Sequence, residues 1–182
     1  MERILIVAGL HDSGPDHWQT WFETQLAGCE RVRRRDWARP DLADWADTVA
    51  RAVERKRGPA WLVAHSFGCL ATVRAASEVG GLIEGALLVA PADPSRFDLA
   101  DSLVNCRLPF PSLLVASRND PWMSFKAARE WSWRWGSRLV DAGAAGHINA
   151  EAGFGPWHGG LHLLQRLKRE VADARQNLVQ GY

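Results

Sequence analysis

A serine stands where an apolar run meets a helix-forming stretch, in the segment Val63-Ala64-His65-Ser66-Phe67-Gly68. Ser66 can act as a nucleophile there, because a sharp strand-to-helix turn exposes the hydroxyl beside the first amides of the helix. Such a turn strains the backbone and leaves room only for small residues two positions before and after the serine. Ala64 and Gly68 meet this demand, although the usual G-x-S-x-G pattern has glycine where Ala64 stands.

A serine hydroxyl also needs a histidine to accept its proton and a carboxylate to orient that histidine. The candidate acid is Asp120, in Ser117-Arg118-Asn119-Asp120-Pro121, and the candidate base is His147, in Gly146-His147-Ile148-Asn149. Each follows a predicted strand, at the edge where parallel sheets gather ligands. The sequence therefore predicts a Ser66, His147 and Asp120 triad that cleaves an acyl bond through a covalent intermediate, with no cofactor and no metal.

Other acidic and histidine residues are weaker candidates. Asp93, Asp98 and Asp101 follow an earlier strand and could supply the acid, but their loop has no comparable tight turn. His158 and His162 are four positions apart and could suggest a metal site, yet the glutamate of an H-E-x-x-H pattern is missing. We expect these two histidines to pack or face solvent at the start of the last helix.

The end of the first apolar run, Gly9-Leu10-His11-Asp12-Ser13-Gly14, is the second candidate part of the site. With the Phe67 amide as one oxyanion donor, the Leu10 amide is the best candidate for the other. Alternatively, Gly9 only turns the chain into the next helix. The residues predicted to line the pocket are His11, His65, Phe154 and Trp157.

Short apolar runs alternate with longer amphipathic stretches, which predicts an α/β fold with a mostly parallel sheet of about six strands and helices on both faces. Several runs are continuously apolar, as in strands covered on both sides. The predicted strands are Ile4 to Ala8, Arg31 to Asp36, Trp61 to His65, Ala86 to Ala90, Leu113 to Ser117 and Arg138 to Asp141.

Five helices are predicted between and after these strands. Ser13 and Asp16 resemble a capping box at the start of the first helix, and Ser124 can cap the fourth. The helices are expected from Ser13 to Leu26, Asp41 to Arg57, just after Ser66 to Gly80, Ser124 to Gly136 and Leu161 to Asn177. A chain of 182 residues without a dividing linker is expected to form one domain, 1–182. The spare segment Pro91 to Pro111 is too short for a large lid, so we expect an open cleft.

Charge and cysteine content narrow the class of protein. Lys and Arg number 22 against 21 Asp and Glu, and the cluster Arg31 to Arg35 contains no aromatic residue, so a nucleic-acid partner is not expected. Cys29, Cys69 and Cys106 lack the spacing of a redox or zinc site and are expected to be inert thiols. No apolar run is long enough to span a membrane, and no signal peptide is evident, so we expect a cytoplasmic protein. The expected partner is a small ester or amide substrate, which follows from the predicted triad.

The sequence resembles the small serine hydrolase family that includes the retinoblastoma-binding protein 9 type and the YdeN-like bacterial hydrolases. Four motifs carry the resemblance: Gly9 to Ser13, Ala64 to Gly68, Asn119 to Pro121 and Gly146 to Asn149. The resemblance runs nearly end to end, and the stretch Gly146 to Trp157 is its most specific part. It implies a minimal α/β-hydrolase fold, a triad on Ser66, Asp120 and His147, and esterase-like or amidase-like activity. It does not imply a retinoblastoma partner, because an L-x-C-x-E pattern is absent from the sequence.

Two alternative functions fit the same sequence. An aminopeptidase or a thioesterase would use the same triad and differ only in the shape of its pocket. A catalytically silent binding protein would keep the fold and present an exposed surface, although such a protein need not retain all three catalytic groups.

Overall fold

The computed structural model describes residues 3–56 and 58–180, and six strands within them form one parallel sheet in the order β2-β1-β3-β4-β5-β6. Strand β1 lies next to the edge strand β2, and the chain passes outward from β1 to β2 and then returns to β3 on the other side of β1. This reversal opens a crevice at the carboxyl ends of β1 and β3. The strands are β1 (Arg3–Val7), β2 (Cys29–Arg31), β3 (Ala60–His65), β4 (Ile83–Val89), β5 (Ser112–Ala116) and β6 (Arg138–Asp141).

Helices cover both faces of the sheet, and the predicted α/β fold class is confirmed. One core lies between the sheet and α2, α3, α4 and α5, and the other lies between the sheet and α1 and α6. Because side chains on both faces of β1 and β3 are buried, these strands are continuously apolar rather than alternating. The helices are α1 (Trp18–Gln25), α2 (Leu42–Glu54), α3 (Phe67–Val79), α4 (Ala100–Leu103), α5 (Phe125–Trp135) and α6 (His158–Gln180).

Helices α2 and α5 begin where they were predicted, at Asp41 and at the predicted cap Ser124. The Asp41 side chain accepts a hydrogen bond from the Asp44 amide at 3.2 Å, and the Ser124 hydroxyl accepts one from the Ala127 amide at 3.1 Å. Helix α2 ends at Glu54, and its predicted end at Arg57 lies outside the described residues.

The predicted capping box at Ser13 is wrong. Helix α1 begins only at Trp18, where the His17 ring nitrogen Nδ1 accepts from the Gln19 amide at 3.1 Å. The chain before it is still turning, because His11 and Asp12 have left-handed φ angles of 67° and 62°. The Ser13 hydroxyl donates to the buried Gln19 side chain at 2.6 Å instead of capping the helix.

The predicted position of the second strand is also wrong. Strand β2 pairs Cys29 with Ile4 and ends at Arg31, rather than running from Arg31 to Asp36. The paired register with β1 stops at Arg31, although the Val32 amide still donates to the Ile6 carbonyl at 2.9 Å, and the Arg34 guanidinium lies over the Trp45 ring, 4.4 Å from its centroid.

Smaller differences occur at two other elements and in the segment that follows β4. Strand β4 starts at Ile83 instead of Ala86, because Ile83 already pairs with Ala60, and α6 starts at His158 instead of Leu161. The segment after β4 contains a 3-10 turn at Pro94–Phe97 and the short α4, so no large lid covers the sheet in the described residues. No described helix combines the length and apolar character needed to cross a membrane.

Candidate active site

Ser66 lies at a strained elbow between β3 and α3, with φ 54° and ψ −124°. Its neighbours must be small because three backbones converge there. A Cβ atom on Gly68 would lie 2.3 Å from the Ala8 carbonyl oxygen, and one on Gly9 would lie 2.8 Å from the Ser66 Cβ. Only glycine therefore fits at Gly68 without displacing β1, which is the steric demand that the sequence predicted.

Side chains from three separate strand ends meet at this elbow. The His147 Nε2 atom lies 3.0 Å from the Ser66 Oγ atom, and its Nδ1 atom lies 3.0 Å from both carboxylate oxygens of Asp120. An ionised carboxylate only accepts hydrogen bonds, so Nδ1 donates to it and Nε2 is left to accept from the serine hydroxyl. The Asp120 side chain is only 3% exposed, which shields this pair from water.

The three alternative acids are engaged elsewhere or lie in other turns. The Asp93 carboxylate accepts from the Ser95 amide at 3.0 Å and caps a 3-10 turn. Asp98 ends that turn in a left-handed conformation, and Asp101 lies in α4. None of them is hydrogen-bonded to His147 in the described structure.

The loops that carry the acid and the base are joined by side chains that the sequence analysis did not single out. The Ser117 hydroxyl accepts from the Ala145 amide at 2.9 Å, and the Asn119 side-chain oxygen accepts from the Gly146 amide at 2.8 Å. These bonds fix the spacing between the two loops. In the sequence, Ser117 and Asn119 look like ordinary turn residues, so no local signal identifies this role.

The Leu10 and Phe67 amides are available as oxyanion donors. Phe67 is the first residue of α3, where amides lack helical partners, and the Asp12 amide closes the neighbouring turn by donating to the Gly9 carbonyl at 3.2 Å. No hydrogen bond joins either the Leu10 or the Phe67 amide to another described residue. The assignment of these two amides as oxyanion donors stays a prediction.

A cleft of about 350 Å³ opens over Ser66 and His147. His11 and His65 line it, as predicted. The lining combines apolar groups with hydrogen-bonding and acidic groups, so the cleft suits a small molecule that carries both kinds of surface. The apolar lining residues include Leu10, Ala92, Phe97 and Trp122, and the polar ones include Asp12, His17, Asn149 and Glu151.

Phe154 and Trp157 do not line this cleft, in contrast to the prediction. The Trp157 ring packs edge-on against Trp18 with centroids 5.1 Å apart, and the Phe154 ring packs against Trp157 at 5.7 Å. Both lie against the core beneath α1 and α6, because large aromatic rings gain most from burial. The turn from Asn149 to Glu151, which precedes Phe154 in the chain, lines the cleft instead.

Three histidine rings lie together beside the nucleophile. His65 lies between His17 and His147, with ring centroids 4.8 Å from each. Burial, followed by the proximity of the other two histidines, holds the pKa of His65 well below its usual value. Burial, followed by the Arg31 charge, lowers the pKa of His17 to about 4. Both rings are therefore neutral at neutral pH, and His17 is a site residue that sequence analysis missed because it lies far from the elbow in the chain.

Cys29, Cys69 and His158 do not form a second catalytic or metal site among the described residues. Burial raises the pKa of Cys29 to about 12 and also raises that of Cys69, so neither thiol is activated. The His158 ring packs on Trp21 at 4.8 Å, and no group of three or more metal-binding side chains is present in the described residues.

A larger cavity of about 410 Å³ lies between α2 and the chain that follows β2. It is rich in arginine, but several of these charges already have partners: Arg34 pairs with Asp44 at 2.7 Å and Arg55 pairs with Glu30 at 3.0 Å. Its lining contains no serine, histidine or cysteine. Ser66 and His147 line the smaller cleft and not this cavity.

The sheet, the elbow and the position of the cleft are those of an α/β-hydrolase. The model of the serine hydrolase family matches residues 4–166, and the chain belongs to that family. A YdeN-like hydrolase from Pectobacterium atrosepticum is 42% identical over 94% of this chain and 92% of its own, with a TM-score of 0.89. The hydrolase YdeN of Bacillus subtilis is 22% identical over 172 residues, covering 84% of this chain and 89% of its own.

More distant solved structures share the fold. The esterase RhEst1 from a Rhodococcus species superimposes with a TM-score of 0.61 at 16% identity, over 94% of this chain and 90% of its own. The predicted family is thus confirmed, and the protein is an enzyme of the serine hydrolase class.

Proposed function

We propose that this hydrolase is carboxylesterase-like and cleaves a small ester, thioester or amide, with Ser66 as nucleophile, His147 as base and Asp120 as the orienting acid. The observation that carries the proposal is the unbroken series of contacts from the Asp120 carboxylate through His147 to the Ser66 hydroxyl, each at 3.0 Å. That series is the arrangement a serine needs to lose its proton at neutral pH.

The reaction follows from these contacts. The Ser66 oxygen attacks the substrate carbonyl while its proton moves to His147 Nε2, and the negative charge on the carbonyl oxygen is stabilised by the Leu10 and Phe67 amides. The tetrahedral intermediate collapses, and His147 returns the proton to the leaving alcohol, thiol or amine. Water then attacks the acyl-serine while its proton moves to His147 Nε2. His147 returns this proton to the Ser66 oxygen as the acyl bond breaks, which releases the acid and restores Ser66.

Labelling with a fluorophosphonate tests the nucleophile. We expect the reagent to modify Ser66 of the intact protein and no other serine, because among the described residues only the Ser66 hydroxyl contacts a histidine ring nitrogen. Ser66→Ala should abolish labelling and turnover, whereas Ser77→Ala, on the exposed face of α3, should leave both unchanged. Labelling that persists in Ser66→Ala would remove the nucleophile assignment.

The size of the cleft supports a small substrate. A cleft of about 350 Å³ without a large lid in the described residues accommodates a short acyl chain, and longer chains extend into water. Each CH₂ that is buried contributes about 0.8 kcal/mol, and each one that stays exposed contributes little. We expect kcat/KM for p-nitrophenyl esters to peak between acetate and butyrate. A steady rise through octanoate, or activation by micelles, would contradict an open, shallow cleft.

A further inference from the structure

The residue directly after the proposed base is held in an unfavourable backbone conformation. Ile148 has a φ angle of 47°, in the left-handed region that β-branched residues rarely adopt. Its side chain is fully buried in the core beneath α1 and α6. A strained peptide of this kind persists only where the surrounding structure fixes it.

Two ring N–H groups fix it through successive carbonyls. The His65 Nε2 atom lies 2.9 Å from the His147 carbonyl oxygen, and because a carbonyl only accepts, His65 carries its proton on Nε2. The Trp18 Nε1 atom donates to the Ile148 carbonyl oxygen at 2.8 Å. The two donor rings also contact one another edge to face, with centroids 6.0 Å apart. The carbonyl on each side of the strained residue is thus held by one ring N–H group, and the Ile148 amide donates within the loop to the Ala145 carbonyl at 3.1 Å.

The origin of the two donors connects the base to the nucleophile. His65 is the last residue of β3 and immediately precedes Ser66, so a bond from its ring ties the His147 backbone to the strand that carries the serine. Trp18 opens α1 and is fully buried beneath the same loop. Neither ring lies within hydrogen-bonding distance of the Ser66 hydroxyl or the Asp120 carboxylate in the described structure.

We propose that His65 and Trp18 are positioning residues, which together clamp the His147–Ile148 segment and thereby set the distance between His147 Nε2 and Ser66 Oγ. The inference rests on the proposed triad. The low pKa of His65 is consistent with it, because a neutral ring donates to the carbonyl without placing a second charge beside the base. Loss of either donor leaves a buried carbonyl unpaired and allows the strained segment to relax.

The test compares variants that keep the ring and remove only the donor. His65→Phe and Trp18→Phe should each lower kcat for p-nitrophenyl acetate by about 10²-fold, the usual scale for a base displaced by 1 Å, with little change in KM. His65→Gln can place an amide N–H near the position of Nε2, so it should retain more of kcat than His65→Asn, whose amide is too short. The double variant should lose less than the product of the single losses, because both changes release the same segment.

Trp135→Phe is the matched control. Trp135 is also fully buried and donates Nε1 to a backbone carbonyl, that of Leu103, at 3.2 Å, but on the other face of the sheet. It should lose stability without losing kcat. Unchanged kcat in His65→Phe and Trp18→Phe, or equal losses in His65→Gln and His65→Asn, would overturn the clamp.

If His65→Phe does not fold, the comparison of His65→Gln with His65→Asn and the result for Trp18→Phe still decide the question. Fluorophosphonate labelling of the unmodified protein separates the two proposals. An unlabelled Ser66 would contradict the triad itself, whereas a labelled Ser66 together with unaffected variants would contradict only the clamp.

Discussion

Ser66 and His147, the proposed nucleophile and base, are held in place by different kinds of interaction. Ser66 lies where backbones approach closely, because a Cβ atom on Gly9 would collide with the Ser66 Cβ and one on Gly68 would collide with the end of β1. His147 lies in a loop that is held by hydrogen bonds with groups distant in sequence. The His65 ring donates to the His147 carbonyl, and the Gly146 amide donates to the Asn119 side-chain oxygen. Changes of size should therefore damage the elbow, and changes of hydrogen bonding should damage the base loop.

The largest effect is expected on the base side, from Asp120→Asn. The amide would favour the wrong tautomer of His147, so we expect kcat to fall by about 10⁴-fold while the fold is retained. The measurement is ester turnover, with circular dichroism as a check on folding. Asp98→Asn is the matched control, because Asp98 does not contact the base in the described structure. A silent Asp98→Asn enzyme beside an active Asp120→Asn enzyme would place the acid on another strand.

The next effect is expected at the elbow, from Gly68→Ala. The added Cβ would lie 2.3 Å from the Ala8 carbonyl oxygen and 2.5 Å from that of Val7, so α3 must move away from β1. We expect the free energy of unfolding to fall by about 3 kcal/mol, as for an overpacked core. Urea denaturation measures the change. Gly81→Ala, where the added Cβ meets nothing within 4 Å, should show little change, and equal losses would contradict steric control.

A smaller effect on stability is expected from His17, whose ring lies beside His65. His17 has a pKa of about 4 in the folded protein because of burial, and about 6.5 when unfolded. Between these values the unfolded chain binds more protons than the folded one, so stability falls as pH drops below about 6.5. We expect His17 to account for about 2 kcal/mol of the stability lost between pH 7 and pH 5.

Urea denaturation at the two pH values checks this expectation. His17→Gln should reduce the difference in unfolding free energy between pH 7 and pH 5, and the buried His65 should account for part of what remains, because its pKa is also lowered. His162→Gln, on the exposed face of α6, is the control and should leave the difference unchanged. An unaltered difference in His17→Gln would mean that the ring is not buried in its neutral form.

Much of this protein could be predicted from local sequence. Continuous apolar runs fixed the positions of β1, β3 and β5 to within one residue at each end, because strands buried on both faces tolerate little else. The small residues around Ser66 predicted the elbow, since any larger side chain would collide with β1. The chain order of serine, acid and histidine, together with strand ends at one edge, predicted which side chains would meet.

Tertiary structure decided the features that depend on distant partners. Strand β2 stops at Arg31, where its paired register with β1 ends, and α1 starts late because Asp12 and its neighbours form a turn; neither feature is visible in the local pattern. Trp157 packs in the core rather than in the cleft, since a partner ring from α1 is available there. His17 joins the site, and His65 contacts the base loop, only after chain segments far apart in sequence have packed. Periodicity and residue size act within a few positions, so they determined the elements and the elbow at Ser66. Burial and hydrogen-bond partners are set by the whole fold, so they decided how His147 is held.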